Sequence, residues 1–173
     1  MKIYNFSAGP ACLPESVLVS ASEASKEFKG TGMSLMEISH RSTPVFELFE
    51  EATEQIKSLL AIPSSYHVLW LQGGASTQFS MVPLNILPDG GSADYIETGS
   101  WSTKAIAECN KVGKAHVIGS SKDVTFTFIP KDCEQNTDSS YLHITSNNTI
   151  YGTQYKVFPK VENPDGFLVA DMS

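Results

Sequence analysis

Apolar residues recur along this chain in two rhythms. Between residues 15 and 29, Val17, Leu18, Ala21, Ala24 and Phe28 fall on one side of a 3.6-residue repeat, which predicts a helix stopped at Gly30. A second stripe, Val45, Leu48, Phe49, Ala52, Ile56, Leu59 and Leu60, predicts another helix, capped by Thr43 with Pro44 at its first position. Short apolar runs at Tyr66–Leu71, Ala93–Glu97, Ala115–Gly119, Tyr141–Ser146 and Phe167–Asp171 read as strands, the first of them buried, and Asp123–Glu134 as an edge strand and loop. Helices over Ser76–Leu87, ended by Pro88-Asp-Gly-Gly91, and over Ser102–Lys111 lie between them. Residues 1–13, with a Gly9-Pro10 turn, and the stretch Thr31–Ser42 read as irregular. Alternating helices and short apolar strands predict an α/β layer with a mainly parallel sheet flanked by helices. No repeat, linker or low-complexity tract interrupts it.

One junction in this pattern carries chemistry. The run Val68-Leu-Trp-Leu-Gln enters Gly73-Gly74 and leaves as a helix beginning with Ala75, Ser76 and Thr77. The glycines let a ligand approach the backbone closely. The free N–H groups of the helix's first turn, with its dipole, favour an anion, and a phosphate suits them. An ordinary strand-to-helix turn with a Ser/Thr cap would look the same. The lysine and spacing of a Walker A loop are absent, and so is G-x-G-x-x-G.

Composition narrows the ligand. The chain has 173 residues, enough for one domain with a real core, and a formal net charge of −7 with no basic run. That argues against nucleic-acid binding. No apolar run reaches membrane-spanning length, and the N-terminus turns polar too early for a signal peptide. Cys12, Cys109 and Cys133 are scattered, form no metal spacing, and suggest a reducing, cytoplasmic setting. The only arginine is Arg41, so planar recognition of a carboxylate or phosphate by guanidinium has one candidate, beside His40.

Four strand ends then combine. Asp171 closes an apolar strand, and ligands of open α/β sheets sit outside such tips. It reads as a turn or cap residue, or as a carboxylate for a buried cationic nitrogen. Trp101, on a loop past another strand, is a core residue or a flat surface for a planar ring. Asn147-Asn-Thr149 offers amide and hydroxyl groups at the same edge. Cradle, aromatic, hydroxyl and carboxylate together suit a phosphorylated heterocycle with a basic nitrogen, and pyridoxal 5'-phosphate fits.

At this point the sequence resembles a known family. Asn5-Phe-Ser-Ala-Gly-Pro-Ala11, Ser39-His-Arg-Ser42, Gln72-Gly-Gly-Ala-Ser-Thr-Gln-Phe79, Gly99-Ser-Trp-Ser102, Asn148-Thr-Ile-Tyr-Gly152 and Ala170-Asp-Met-Ser173 look like the phosphoserine aminotransferases, class-V members of the fold-type I pyridoxal-phosphate enzymes. The resemblance implies that Ala75 and Ser76 hold the cofactor phosphate, Trp101 stacks on its ring, Thr149 bonds its 3-oxygen and Asp171 pairs its ring nitrogen. It implies that Arg41, with His40, binds a substrate carboxylate or phosphate. The implied reaction is transamination between O-phospho-L-serine with 2-oxoglutarate and 3-phosphohydroxypyruvate with L-glutamate, in serine biosynthesis, by a cytoplasmic homodimer without a metal.

The same resemblance makes residues 1–173 the N-terminal part of the cofactor-binding large domain. The family's Schiff-base lysine follows the Asp motif, whereas every lysine here precedes Asp171. The catalytic lysine and the small C-terminal domain are therefore expected to be missing, and the 173 residues alone inactive. Two rival readings remain. One is an inactive binding protein that keeps the cradle. The other is a different class-V enzyme such as a cysteine desulfurase-like lyase, for which Cys133 in Asp132-Cys-Glu134 lacks the loop context and Trp101 stands where a histidine usually stacks.

Overall fold

The structure, a computed structural model, describes residues 3–7, 9 and 11–173. Pro10, half of the expected Gly9-Pro10 turn, lies outside the described residues. The chain divides into two compact units, one running to Trp70 and the other from Leu71 to Ser173. Among the described residues, no helix is long and apolar enough to cross a membrane.

The first unit is built on two helices. Helix α1 (Glu15–Lys26) is shorter than the sequence suggests and buries none of its residues. Glu27 turns extended, so Gly30 is not the helix stop but sits with φ 78° in the turn beyond. That turn brings Phe28 back, buried, with its N–H donating to the Met33 carbonyl at 2.9 Å. Helix α2 (Thr43–Leu59) starts one residue before the expected position. Ser42, extended, is the N-cap residue, and Pro44 stands second in the helix. The Ser42 hydroxyl donates backward to the Ser39 carbonyl rather than capping α2. Of the α2 stripe only Val45 is buried.

The expected buried strand at Tyr66–Leu71 does not form. The segment is irregular and Tyr66 and Leu69 are 63% and 72% exposed. A strand needs a neighbour for its alternate N–H and C=O groups, and none pairs with this one among the described residues.

The second unit is the predicted α/β layer. Its sheet orders β2 (Lys114–Ser120), β1 (Ser92–Glu97), β3 (Tyr141–Thr145) and β6 (Phe167–Asp171), all parallel. A two-stranded antiparallel hairpin, β4 (Asn147–Asn148) with β5 (Thr153–Gln154), follows β3 and was not foreseen. Helix α3 (Gly74–Ile86) ends at Leu87, which is extended as a residue before proline tends to be. Helix α4 (Ser100–Cys109) begins earlier than expected. Alternate side chains of β1, β3 and β6 face opposite ways. Ala93, Tyr95 and Tyr141 form one core with Phe79 of α3 and Ala105 and Cys109 of α4. Ile96, Leu142 and Ile144 form the other, with Leu168, Ala170 and Cys133 against it.

The expected edge strand over Asp123–Glu134 is absent. A single 3-10 turn (Lys122–Val124) leads into a loop in which Thr125, Phe126 and Asp132 have φ of 57°, 56° and 54°. Left-handed residues break the extended backbone a strand requires. Phe126 is buried there, edge-on to Tyr151 at 4.8 Å.

Candidate cofactor site

The head of α3 is shaped for an anion. Gly73, its N-cap, has φ 90°, and a Cβ there would run into the Thr77 side chain. Only glycine meets both demands. No side chain caps the helix, and the Thr77 hydroxyl is turned back to the Gly73 carbonyl at 2.8 Å. The first-turn N–H groups, including those of Ala75 and Ser76, are therefore left without a side-chain cap.

Asp171 lies at the C-terminal end of β6, in register with Thr145 of β3. Its Oδ1 accepts from the Ser173 N–H at 3.1 Å and the Ser173 hydroxyl at 2.7 Å. Asp171 and Ala75 line one cavity of about 290 Å³, together with Phe79, Tyr95, His143 and Val169. So two predicted residues far apart in sequence line one cavity. Ser76, exposed at the same helix head, Trp101 and Thr149 lie outside that cavity's lining.

Trp101 is not on a loop. It is the second residue of α4, half-buried, and packs against the Tyr95–Tyr141 core. The helix starts early because Ser102 caps it from inside. The Ser102 hydroxyl accepts from the Thr98 and Gly99 N–H groups at 2.9 and 3.0 Å and donates to the Gly99 carbonyl at 2.8 Å. The Lys104 ammonium sits 4.4 Å from the Trp101 ring centroid. Thr149 is exposed at the turn of the β4–β5 hairpin. His40 and Arg41 belong to the N-terminal unit, both exposed in the turn before α2, and Arg41 has no ion-pair partner among the described residues.

Other residues stand near these tips, among them His143 and Thr145, which sequence reasoning did not single out. His143 is 4% exposed, stacked on Tyr95 with ring centroids 4.8 Å apart, and its Nδ1 has no hydrogen-bond partner. Burial lowers its pKa to about 4, against the opposing pull of the Asp171 charge, so the imidazole is neutral. Thr145 Oγ1 and Asn148 Oδ1 are likewise buried and unpartnered. Of these residues only His143 lines the cavity with Asp171, and its unpartnered nitrogen is where a ligand could complete the bonding. At the tip of β1, burial raises the Glu97 carboxyl, but hydrogen bonds from Ser120 and Thr103 and the Lys122 ammonium outweigh it and hold the pKa below the usual value. Cys133 packs against the other core, and burial pushes its thiol pKa up, the reverse of what a nucleophilic cysteine needs.

A parallel α/β sheet with an uncapped helix head and a carboxylate at its strand tips defines a class of enzyme fold, and comparison gives the family. Residues 3–172 match the Aminotransferase class-V family, and the chain belongs to it. It is 50% identical over 173 residues to the phosphoserine aminotransferase of Desulfatibacillum aliphaticivorans, covering 99% of this chain and 47% of that protein. Identity is 48% with Arabidopsis thaliana phosphoserine aminotransferase 2, chloroplastic, over 99% of this chain and 41% of that one. Among solved structures, phosphoserine aminotransferase from Bacillus circulans subsp. alkalophilus superposes with a TM-score of 0.91 at 43% identity, covering 99% of this chain and 48% of its own. The pyridoxal-phosphate-bound enzyme from Trichomonas vaginalis gives 0.87 at 33% identity, covering 98% and 47%. The fold is thus that of the fold-type I aminotransferases. The chain spans about half the length of the curated relatives it matches.

Proposed function

We propose that residues 1–173 are the N-terminal part of the cofactor-binding large domain of a phosphoserine aminotransferase. Pyridoxal 5'-phosphate is its cofactor, with the phosphate at the head of α3 and the ring nitrogen at Asp171. The observation that carries this reading is the shared cavity of Ala75 and Asp171, a helix head and a strand tip. The residues fit the group on three further counts. Gly73 turns left-handed into α3 as the close backbone approach requires, the α3 head is uncapped, and the buried His143 Nδ1, on the cavity's lining, has no hydrogen-bond partner.

Bound there, the cofactor supplies an electron sink for the pair released when the substrate's Cα–H bond breaks. The chain's own residues prepare for it. Asp171 holds a proton on the ring nitrogen, since an opposite charge at contact shifts a pKa by roughly 1–3 units. The Ala75 and Ser76 N–H groups bind the phosphate, Trp101 fixes the ring plane and Thr149 bonds the 3-oxygen. His40 and Arg41 bind a substrate carboxylate or phosphate, whose binding energy orients Cα. The substrates are O-phospho-L-serine with 2-oxoglutarate, and 3-phosphohydroxypyruvate with L-glutamate, in serine biosynthesis. The names of the relatives support them. Three free cysteines support a cytoplasmic setting, and the family resemblance carries the homodimer.

The test is the full-length protein with and without Asp171→Asn, assayed for phosphoserine formed from glutamate and 3-phosphohydroxypyruvate. The parent should turn over, and the variant should lose about 10-fold to 1000-fold in rate while still binding cofactor. Parent-like turnover in the variant would return Asp171 to a turn residue.

A further inference from the structure

The β4–β5 hairpin is not free to swing. Asn148 is 1% exposed. Its side-chain amide donates to Thr98 Oγ1, at the end of β1, and to Thr153 Oγ1, on β5, each at 3.1 Å. One side chain thus spans the base of the hairpin and the corner from which α4 departs. A second tie lies near the hairpin turn, where the Tyr151 and Ser100 hydroxyls are 3.3 Å apart. Gly99 sits under both. A Cβ there would come within 2.5 Å of Asn148 Oδ1 and 3.2 Å of Tyr151 Cδ2. The backbone φ of Gly99 is 167°, open to any residue, so the close approach alone calls for glycine.

We propose that Asn148 is a positioning residue for the cofactor site, strapping the hairpin to the β1–α4 corner so that Thr149 is held at a fixed place relative to Trp101. Thr149 follows Asn148 directly, and Trp101 is two residues beyond Gly99. The two groups come from segments about fifty residues apart, and Asn148 bonds both segments. The inference rests on the reading of Thr149 and Trp101 given above. Asn148 itself need not touch the cofactor. Its amide is fixed by two hydroxyls, and what it supplies is geometry, because a hydrogen bond to a ligand weakens steeply once donor and acceptor drift apart.

A double-mutant cycle on the full-length protein tests this, with Asn148→Ala, Thr149→Val and the pair. The readouts are the Kd for pyridoxal phosphate, from quenching of tryptophan emission, and the absorption maximum of the bound cofactor, which reports on its 3-oxygen. If Asn148 acts through Thr149, each single variant weakens binding about 10-fold and shifts the absorption the same way, and the pair is no worse than either single. Losses that multiply to about 100-fold in the pair would overturn the strap. So would a lowered melting temperature for Asn148→Ala with an unchanged Kd and spectrum. An unchanged Kd and spectrum for Thr149→Val would overturn the reading beneath the inference, and with it the inference. If Asn148→Ala does not fold, Thr98→Val removes the corner end of the strap and serves in the same cycle.

Discussion

His143 shows how one buried residue can set the acid limit of a fold. It is stacked on Tyr95 from β1, meets Phe79 of α3 edge-on at 6.4 Å, and shares a cavity with Asp171 of β6. Its pKa falls from 6.5 to about 4 on folding. Between those values the unfolded chain binds a proton that the folded chain refuses, so stability is full above about pH 6.5 and drains as pH falls towards 4. The linkage amounts to about 3 kcal/mol. His143→Gln should flatten the acid side of a plot of melting temperature against pH in that window, and an unchanged slope would show that burial of the imidazole does not limit stability. The sequence held a signal for this residue. Tyr141, His143 and Thr145 put a polar group at every second position of a run read as a strand, so one face of β3 carries polar groups throughout. Arg41 was legible for the opposite reason, as the sole guanidinium on an exposed turn. Arg41→Ala in the full-length protein should raise KM for phosphoserine or glutamate about 10-fold to 150-fold with cofactor binding intact. An unchanged KM for both would make it a solvated loop residue.

At the scale of elements, the corner between β1 and α4 is the point most sensitive to a small change. Gly99→Ala should drive a methyl against Asn148 and Tyr151, and one of them must move. We expect cofactor affinity to fall about 10-fold while far-UV circular dichroism is preserved, since the wedge parts two segments without breaking a helix or strand. Unchanged affinity would mean the hairpin yields at no cost. Strands β1, β2, β3 and β6 were all visible from sequence, because strands of a parallel sheet covered by helices read as short apolar runs. The failures share a cause. Tyr66–Leu71 has the apolar run but no neighbour, and Asp123–Glu134 has β-forming residues but three left-handed backbones. Pairing and backbone handedness are decided at a distance, and local composition does not record them. The β4–β5 hairpin escaped because two-residue strands carry no period to detect. Trp101 was assigned to a loop because its helix is started by Ser102, a cap acting from inside the helix, whereas capping residues are sought at its boundary.

For the molecule as a whole, the sheet order β2-β1-β3-β6 sets a gradient of protection. Strands β1 and β3 are paired on both sides, and the residues of β3 are all buried. Amide exchange in the 173-residue chain should be slowest there, faster in β2 and β6, and fastest over residues 66–71. Uniform exchange rates would show that the second unit opens only as a block. The same order constrains assembly in time. Strand β2 can join β1 through the short α4 connection, but β3 must close a longer loop to reach β1, and β6 has no edge to add to until β3 is in place. If the strands add outward from β1, the carboxylate at the tip of β6 arrives after the rest of the sheet. In a refolding experiment, helical signal and burial of Tyr95 should recover before any affinity for pyridoxal phosphate does. A chain caught without its last strand would look largely folded to a spectrometer and yet be blind to its ligand.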